Sequence, residues 1–174
     1  MALDIGSPPV RASPVALASP QMRALVQTGY AFRRRLLGWL RVRTRGVKVM
    51  LYDRDGRLLL IRNSYGDRDV FLLPGGGMKR HETPEAAAFR EVREELNISV
   101  ADLELVGAYK SSAEGKRDTI YLFRATALGT PEADSFEVEE ARFVALDALP
   151  ERVSPATIRR IREAKGELPT DGRW

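Results

Sequence analysis

The spacing of apolar residues changes at Val47 and divides the chain into two parts. Residues 21–43 have apolar side chains at the three-to-four-residue spacing of an amphipathic helix. From Val47 onward, short apolar runs are separated by polar turns, a pattern typical of strands. A helical period returns after Thr83, so strands lie on both sides of a helix. This order predicts an α/β (α+β) fold with a mixed sheet.

The segment from Val47 onward contains six predicted strands and two predicted helices. The strands are Val47–Tyr52, Leu58–Arg62, Val70–Leu73, Leu103–Tyr109, Thr119–Leu128 and Ala141–Val144. The helices are Pro84–Leu96 and Pro155–Lys165, and residues 147–149 are predicted to begin a turn of helix. Thr83 is the predicted N-cap of the first helix, and Pro84 suits its first position.

The N-terminal part is predicted to lie outside the main domain. Residues 1–20 contain four prolines and predict a disordered tail. Residues 21–45 predict a basic amphipathic helix, which we interpret as docked on the main domain or on a partner subunit. Contact with an anionic membrane or with nucleic acid is the alternative. The predicted main domain covers residues 46–166, and residues 167–174 form a predicted C-terminal tail.

The positive charge of the chain is concentrated in its first 46 residues. They carry eight arginines and one aspartate, a net +7, so the remaining residues hold −3 of the total +4. The overall basic balance therefore does not indicate that the main domain binds nucleic acid.

Two residue counts limit the chemistry. The chain has no cysteine, which excludes disulfides, a thiol nucleophile and a cysteine zinc site. Its single histidine, His81, excludes multi-histidine metal sites, so carboxylates are left to bind any metal. No apolar run approaches the roughly 18 residues that a transmembrane helix needs, and no secretory signal is recognisable. We expect a cytoplasmic protein with no transmembrane segment.

The helix Pro84–Leu96 carries three glutamates on one stripe. At about 100° per residue, Glu91, Glu94 and Glu95 point to the same side. The opposite side is apolar and is expected to be buried, with Ala88, Phe89, Val92 and Leu96. Like charges at this spacing repel, and a divalent cation relieves the repulsion. Carboxylate oxygens suit Mg²⁺, Mn²⁺ or Ca²⁺, and Mg²⁺ commonly bridges to substrate phosphates, so the stripe indicates phosphate chemistry.

The segment GGGMKRHETPEAAAFREVREELNI, residues 75–98, resembles the Nudix box. That motif is Gly, five residues, Glu, seven residues, Arg-Glu, an apolar residue, any residue, Glu-Glu, any residue, Gly and an apolar residue. The matching positions are Gly76, Glu82, Arg90, Glu91, Val92, Glu94, Glu95, Asn97 and Ile98. Asn97 replaces the family's glycine at the helix end, where asparagine is the next-best residue for a left-handed cap.

The resemblance implies a divalent-cation site. Glu91, Glu94 and Glu95, with the carbonyl of Gly75, would bind Mg²⁺, with Mn²⁺ as the alternative. Glu82 would pair with Arg90 and orient the other carboxylates.

The resemblance also implies a later carboxylate, in a loop before a strand that carries an aromatic residue. By its spacing to Phe143, Glu137 fits best, and Glu140 and Glu139 are the alternatives. We interpret His81 as an exposed loop residue.

The resemblance covers roughly residues 47–165 and implies a Nudix-type α/β/α sandwich around a mixed β-sheet. The implied activity is Mg²⁺-dependent hydrolysis of a diphosphate linkage in a nucleoside diphosphate derivative by a metal-activated water. Glu94, Glu95 or Glu137 would take the proton. Nucleotides, nucleotide sugars and ADP-ribose-like molecules stay open as substrates, and family members are often homodimers. Two alternatives stay open: a non-catalytic binding or regulatory module, and an RNA 5′-end pyrophosphohydrolase.

Overall fold

The structure is a computed structural model that describes residues 10–11, 44–64, 69–111, 118–132 and 137–174. Most of the predicted disordered tail and basic helix lies outside these residues. Val10 and Arg11, within the segment expected to be disordered, pair with a strand of the sheet. Arg45, expected to end the basic helix, instead begins a strand, because it pairs with Thr119 of the neighbouring strand.

Seven strands and two helices are present in the described part of the chain. The strands are β1 (Val10–Arg11), β2 (Arg45–Tyr52), β3 (Leu58–Asn63), β4 (Phe71–Leu72), β5 (Ser99–Ser111), β6 (Asp118–Leu128) and β7 (Val138–Val144). The helices are α1 (Pro84–Leu96) and α2 (Pro155–Ala164). The sheet order is β1-β7-β3-β2-β6-β5, and β4 pairs with β3. Strands β2 and β6 are parallel and the other described pairs are antiparallel, so the sheet is mixed, as predicted.

Two apolar clusters, one on each face of the sheet, form the core. Val92 and Leu96 of α1 pack with Val49 of β2 in the first cluster. Met50 of β2 and Ile161 of α2 belong to the second cluster. Successive residues of β2 enter different clusters because side chains alternate between the faces of a strand. The predicted α/β/α sandwich is therefore confirmed.

Some predicted element boundaries are wrong. Strand β5 begins at Ser99 rather than Leu103, and β7 begins at Val138 rather than Ala141. Polar residues near the start of each strand interrupt the apolar alternation by which strands are predicted. Hydrogen bonding to the neighbouring strand nevertheless begins at these earlier residues. Residues 147 and 148 lie in a turn and a bend, and no turn of helix begins there.

Helix α1 has the predicted ends but a different rotation from the one that the apolar pattern suggests. The Thr83 hydroxyl accepts a hydrogen bond from the Ala86 amide, and Asn97 has the left-handed φ of 52°. Phe89, predicted to be buried, is 49% exposed, whereas Glu95 is 8% exposed. The helix thus turns one of its glutamates into the protein. In the described part of the chain, no helix combines the length and apolar character needed to cross a membrane.

One edge of β2 pairs with β6. Along the other edge, the first half of β2 is hydrogen-bonded to a loop rather than to a strand. Tyr52 and Leu58 are the registered partners of β2 and β3. Nearer the start of β2, the Val47 amide donates to the Gly76 carbonyl at 2.9 Å, and the Val49 amide donates to the Pro74 carbonyl at 3.0 Å. These bonds hold residues 74–76, the glycine loop, alongside β2.

The residues after α2 return to the sheet. The Lys110 amide of β5 donates to the Gly172 carbonyl at 2.7 Å, and the Trp174 amide donates to the Lys110 carbonyl at 2.9 Å. The Trp174 ring meets the Tyr109 ring edge-on, with centroids 5.9 Å apart. Residues 172–174, in the segment predicted to be a tail, are therefore attached to the domain.

Candidate metal and active site

The glycine loop approaches its neighbours so closely that side chains would collide. Gly75 has a φ of 121°, which L side chains rarely adopt, and a Cβ on it would lie 2.4 Å from the Val47 carbonyl oxygen. A Cβ on Gly76 would lie 2.7 Å from a carboxylate oxygen of Glu91. The two glycines therefore bring loop backbone directly against β2 and against α1.

Glu95 is a buried carboxylate at the glycine loop. Its Oε2 accepts a hydrogen bond from the Gly75 amide at 2.8 Å. Burial raises the pKa of Glu95 to about 7, although the charge of Lys48 and the Gly75 amide oppose the rise. The Glu95 side chain thus links the helix to the glycine loop.

Glu91 and Glu94 lie beside Arg90 and differ in exposure. Arg90 Nη1 is 2.6 Å from Glu91 Oε1 and 3.0 Å from Glu94 Oε2. Burial raises the pKa of Glu91, and hydrogen bonding to Arg90 opposes that rise. The Glu94 side chain is 55% exposed and lies 3.5 Å from Lys79 Nζ. The acidic stripe therefore runs from the protein interior at Glu95 to solvent at Glu94.

Glu82 and Arg90 form the pair that the sequence predicts. Arg90 Nε and Nη2 donate to the two carboxylate oxygens of Glu82 at 2.7 and 2.9 Å. Hydrogen bonding to Arg90, and then to the Lys79 amide, lowers the pKa of Glu82 to about 2. Arg90 Nη2 also donates to the Gly77 carbonyl at 3.0 Å. Arg90 thus connects the glycine-rich segment, Glu82 and two glutamates of the stripe.

The three later carboxylates have different surroundings. Glu137 is exposed and directly precedes β7, and its charge raises the pKa of Glu95. Glu140 forms an ion pair with Arg62 at 2.9 Å, and Glu139 lies 3.9 Å from the same arginine. The charge of Glu137 thus acts on the buried end of the stripe, whereas Glu140 pairs with Arg62.

His81 lies apart from the stripe contacts described above. It is exposed and has a left-handed φ of 63° in the loop before α1. This placement agrees with the interpretation of His81 as a loop residue.

Sequence reasoning missed Lys48, a residue of β2. Its Nζ donates to the Gly75 carbonyl at 2.6 Å and to the Leu73 carbonyl at 2.8 Å. Burial lowers the pKa of Lys48, and the charges of Glu95 and Glu91 oppose that effect. The signal in the sequence was one lysine within the apolar strand GVKVMLY. A charge in a buried strand needs a partner, and here the partners are loop carbonyls and the acidic stripe.

The donor chemistry at this place fits a hard divalent cation. Among the described residues, no three acidic or histidine side chains lie close enough together to coordinate one metal ion in their present positions. Two positive side chains instead lie on the oxygens concerned: Arg90 on Glu91 and Glu94, and Lys48 on the Gly75 carbonyl. Carboxylate and backbone carbonyl oxygens are hard donors of the type that divalent cations such as Mg²⁺ and Mn²⁺ prefer.

Comparisons with known proteins point to one family. A family model described as NUDIX domain matches residues 42–164. A MutT-like protein from Streptomyces ambofaciens is 36% identical over 110 residues, which are 63% of this chain and 69% of that protein. An RNA pyrophosphohydrolase from Saccharophagus degradans is 43% identical over 61 residues, only 35% of each chain.

A solved structure extends the similarity to the fold. The crystal structure of a MutT NUDIX hydrolase from Burkholderia pseudomallei matches with a TM-score of 0.63 and 28% sequence identity. The match covers 70% of this chain and 97% of that one. The domain described above therefore shares its architecture with nearly the whole of that hydrolase.

Proposed function

The chain belongs to the Nudix hydrolase family, and we propose that it is a divalent-cation-dependent pyrophosphohydrolase acting on a nucleotide-like small molecule. The bond cleaved is a diphosphate linkage in a nucleoside diphosphate derivative. One observation carries the proposal: Glu95 and Glu91 of α1 meet Gly75 and Gly76 of the glycine loop. This meeting brings two carboxylates against the glycine loop, and carboxylate and carbonyl oxygens are ligands that suit Mg²⁺.

Five groups are proposed to hold the cation. They are the Gly75 carbonyl and the carboxylates of Glu91, Glu94, Glu95 and Glu137. Mg²⁺ is the proposed cation, with Mn²⁺ as the alternative. When bound, it would offset the charge of the substrate's phosphates and activate water for attack on phosphorus.

The remaining residues of the site orient the carboxylates. Arg90 donates three hydrogen bonds to Glu82 and Gly77 through Nε and Nη2, so that its remaining nitrogen, Nη1, is directed at Glu91 and Glu94. The Gly75 amide fixes one oxygen of Glu95. The proton released by the attacking water goes to Glu94, Glu95 or Glu137.

The proposal is tested by turnover of a panel of nucleoside triphosphates, nucleotide sugars and ADP-ribose with Mg²⁺. We expect Glu94→Gln and Glu95→Gln to lower kcat by at least about 10²-fold, because each removes a charged oxygen from the reacting centre. Glu85→Gln is the matched control, since Glu85 is an exposed glutamate in the first turn of the same helix. Its kcat should stay near that of the wild type.

Two results would contradict the proposal. If the wild type turns over no member of the panel, the chain is better described as a non-catalytic binding or regulatory module. If Glu85→Gln loses as much activity as Glu95→Gln, general helix effects rather than the site would explain both losses.

A second candidate function is removal of pyrophosphate from RNA 5′ ends. The similarity to the Saccharophagus degradans RNA pyrophosphohydrolase favours it, and the arginines of residues 21–45 would add affinity for an RNA backbone. Including 5′-triphosphorylated RNA in the panel separates the two candidates, because a preference for RNA over free nucleotides would select the second. A homodimer and a cytoplasmic location stay predictions.

A further inference from the structure

Lys48 has contacts that the proposed cleavage reaction does not explain. Its Nζ donates to two backbone carbonyls, that of Gly75 in the glycine loop and that of Leu73 just before it. Val47 and Val49 on either side are buried in the apolar core, so the lysine lies in a strand that otherwise packs against apolar groups. Lys48 is itself partly exposed, and its amino group lies on the backbone at the glycine loop.

Lys48 Nζ interacts with several of the groups that are proposed to hold the divalent cation. The charges of Glu95 and Glu91, two of the proposed cation ligands, both act on Lys48. The Gly75 carbonyl, a third proposed ligand, accepts the shorter of its two hydrogen bonds, at 2.6 Å. One protein cation thus contacts or attracts three of the five groups proposed to hold Mg²⁺.

A lysine and a divalent cation cannot both be close to that carbonyl without strong repulsion. Like charges that share a ligand oxygen are near neighbours, and the interior of a protein screens them less than water does. Lysine can leave, because its four-carbon stem is flexible and its ammonium is a compact charge that readily takes other positions. The fixed carbonyls of the loop cannot move in the same way, since Gly75 is pressed against Val47.

We propose that Lys48 Nζ competes with the divalent cation for the Gly75 carbonyl and so limits the cation affinity of the site. This inference rests on the proposed function, since it concerns the same cation. Without the cation, Lys48 holds the glycine loop and offsets the charge of Glu91 and Glu95. When the cation binds, Lys48 Nζ leaves the Gly75 carbonyl.

The test compares Mn²⁺ affinity in two variants by titration calorimetry of metal-free protein. Lys48→Met removes the amino group and keeps much of the stem, and we expect Mn²⁺ to bind at least about tenfold more tightly. Lys79→Met is the matched control: Lys79 lies 3.5 Å from Glu94, but the 65% exposure of its side chain leaves its charge screened by water. Its effect on affinity should be much smaller.

Thermal unfolding gives a second readout on the same proteins. Lys48→Met should unfold at a lower temperature than the wild type without cation, because Glu91 and Glu95 lose the charge that offsets theirs. Saturating Mg²⁺ should narrow that gap, because the cation then supplies the positive charge.

The outcomes separate this inference from the proposed function. Wild type that binds no Mn²⁺ overturns both. Wild type that binds Mn²⁺ while Lys48→Met binds it equally or more weakly overturns the competition alone. An equal gain in Lys79→Met also overturns it, because general electrostatics would then suffice.

If Lys48→Met does not fold, the wild type still decides the question. Nuclear magnetic resonance of protein labelled with ¹⁵N-lysine and ¹³C-carbonyl glycine detects coupling across the hydrogen bond from Lys48 Nζ to the Gly75 carbonyl. We expect this coupling in metal-free protein and its loss at saturating Mg²⁺. A coupling that persists with Mg²⁺ bound overturns the proposal.

Discussion

At the scale of single residues, three consecutive glycines differ in whether and why the structure requires glycine. Gly75 needs glycine for its φ of 121° and for its contact with the Val47 carbonyl. Gly76 needs glycine because Glu91 lies where its Cβ would be. A Cβ on Gly77 would meet nothing within 4 Å. Space and backbone conformation thus distinguish positions that look identical in the sequence.

Gly76→Ala should weaken the site with little effect on stability. The added methyl would push the Glu91 carboxylate aside, and this flexible group can move without disturbing the core. We expect Mn²⁺ affinity and kcat to fall about tenfold or more, since small displacements of reacting groups are costly. Gly77→Ala is the control and should behave as wild type in Mn²⁺ titration and steady-state kinetics. Equal losses in the two variants would refute the explanation.

At the scale of elements, α1 carries the acidic stripe, and local hydrogen bonds cap both of its ends. The Thr83 hydroxyl accepts from the Ala86 amide at its start, and the Asn97 amide donates to the Arg93 carbonyl at its end. Packing of Val92 and Leu96 against the sheet then sets the rotation of the helix. With that rotation, Glu95 faces the glycine loop rather than solvent.

Replacements of Asn97 should separate backbone strain from side-chain contact. Asn97→Ala should lower the free energy of unfolding by about 1 kcal/mol, because alanine is strained in the left-handed region. Asn97→Gly should stay within about 0.5 kcal/mol of the wild type, because glycine adopts this conformation freely. Urea unfolding measures both variants. If both lose equal stability, the contact between the Asn97 side chain and Glu132 matters more than the φ of 52°.

At the scale of the whole molecule, the end of the chain completes the layer on the α2 side. Arg160 of α2 is 1% exposed, and its guanidinium lies 4.0 Å from the Tyr109 ring centroid and 5.4 Å from that of Trp174. Its nitrogens donate to Glu163 at 2.6 Å and to the Arg173 carbonyl at 2.7 Å. A buried charge is tolerated only with such partners, so the last residues help to satisfy it.

Trp174→Ala should destabilise the protein and leave the metal site intact. The variant loses the ring contacts with Tyr109 and Arg160, and we expect the free energy of unfolding to fall by about 1–3 kcal/mol. Ile158→Ala, which removes an exposed apolar side chain of α2, should cost less. Urea unfolding gives the stabilities, and Mn²⁺ titration should show wild-type affinity for both. A loss of Mn²⁺ affinity in Trp174→Ala would show that the two faces of the sheet are coupled.

The sequence by itself determined the features that depend on short-range spacing. The ends of α1 follow from Thr83, Pro84 and Asn97 because caps act over one turn of helix. The pairing of Glu82 with Arg90 and the stripe of glutamates follow from the motif that contains them. The mixed sheet follows from the order of strands and helices, because that order leaves few ways to cover apolar faces.

The tertiary structure alone decided which stripe residues are buried and what they meet. The burial of Glu95 and the exposure of Phe89 depend on the rotation of α1, which the sheet beneath it sets. Lys48 reaches the Gly75 carbonyl across 27 residues of chain, and the charge of Glu137 acts on Glu95 although 42 positions separate them. Such contacts arise when distant segments pack together, and the local periodicity of the sequence does not predict them.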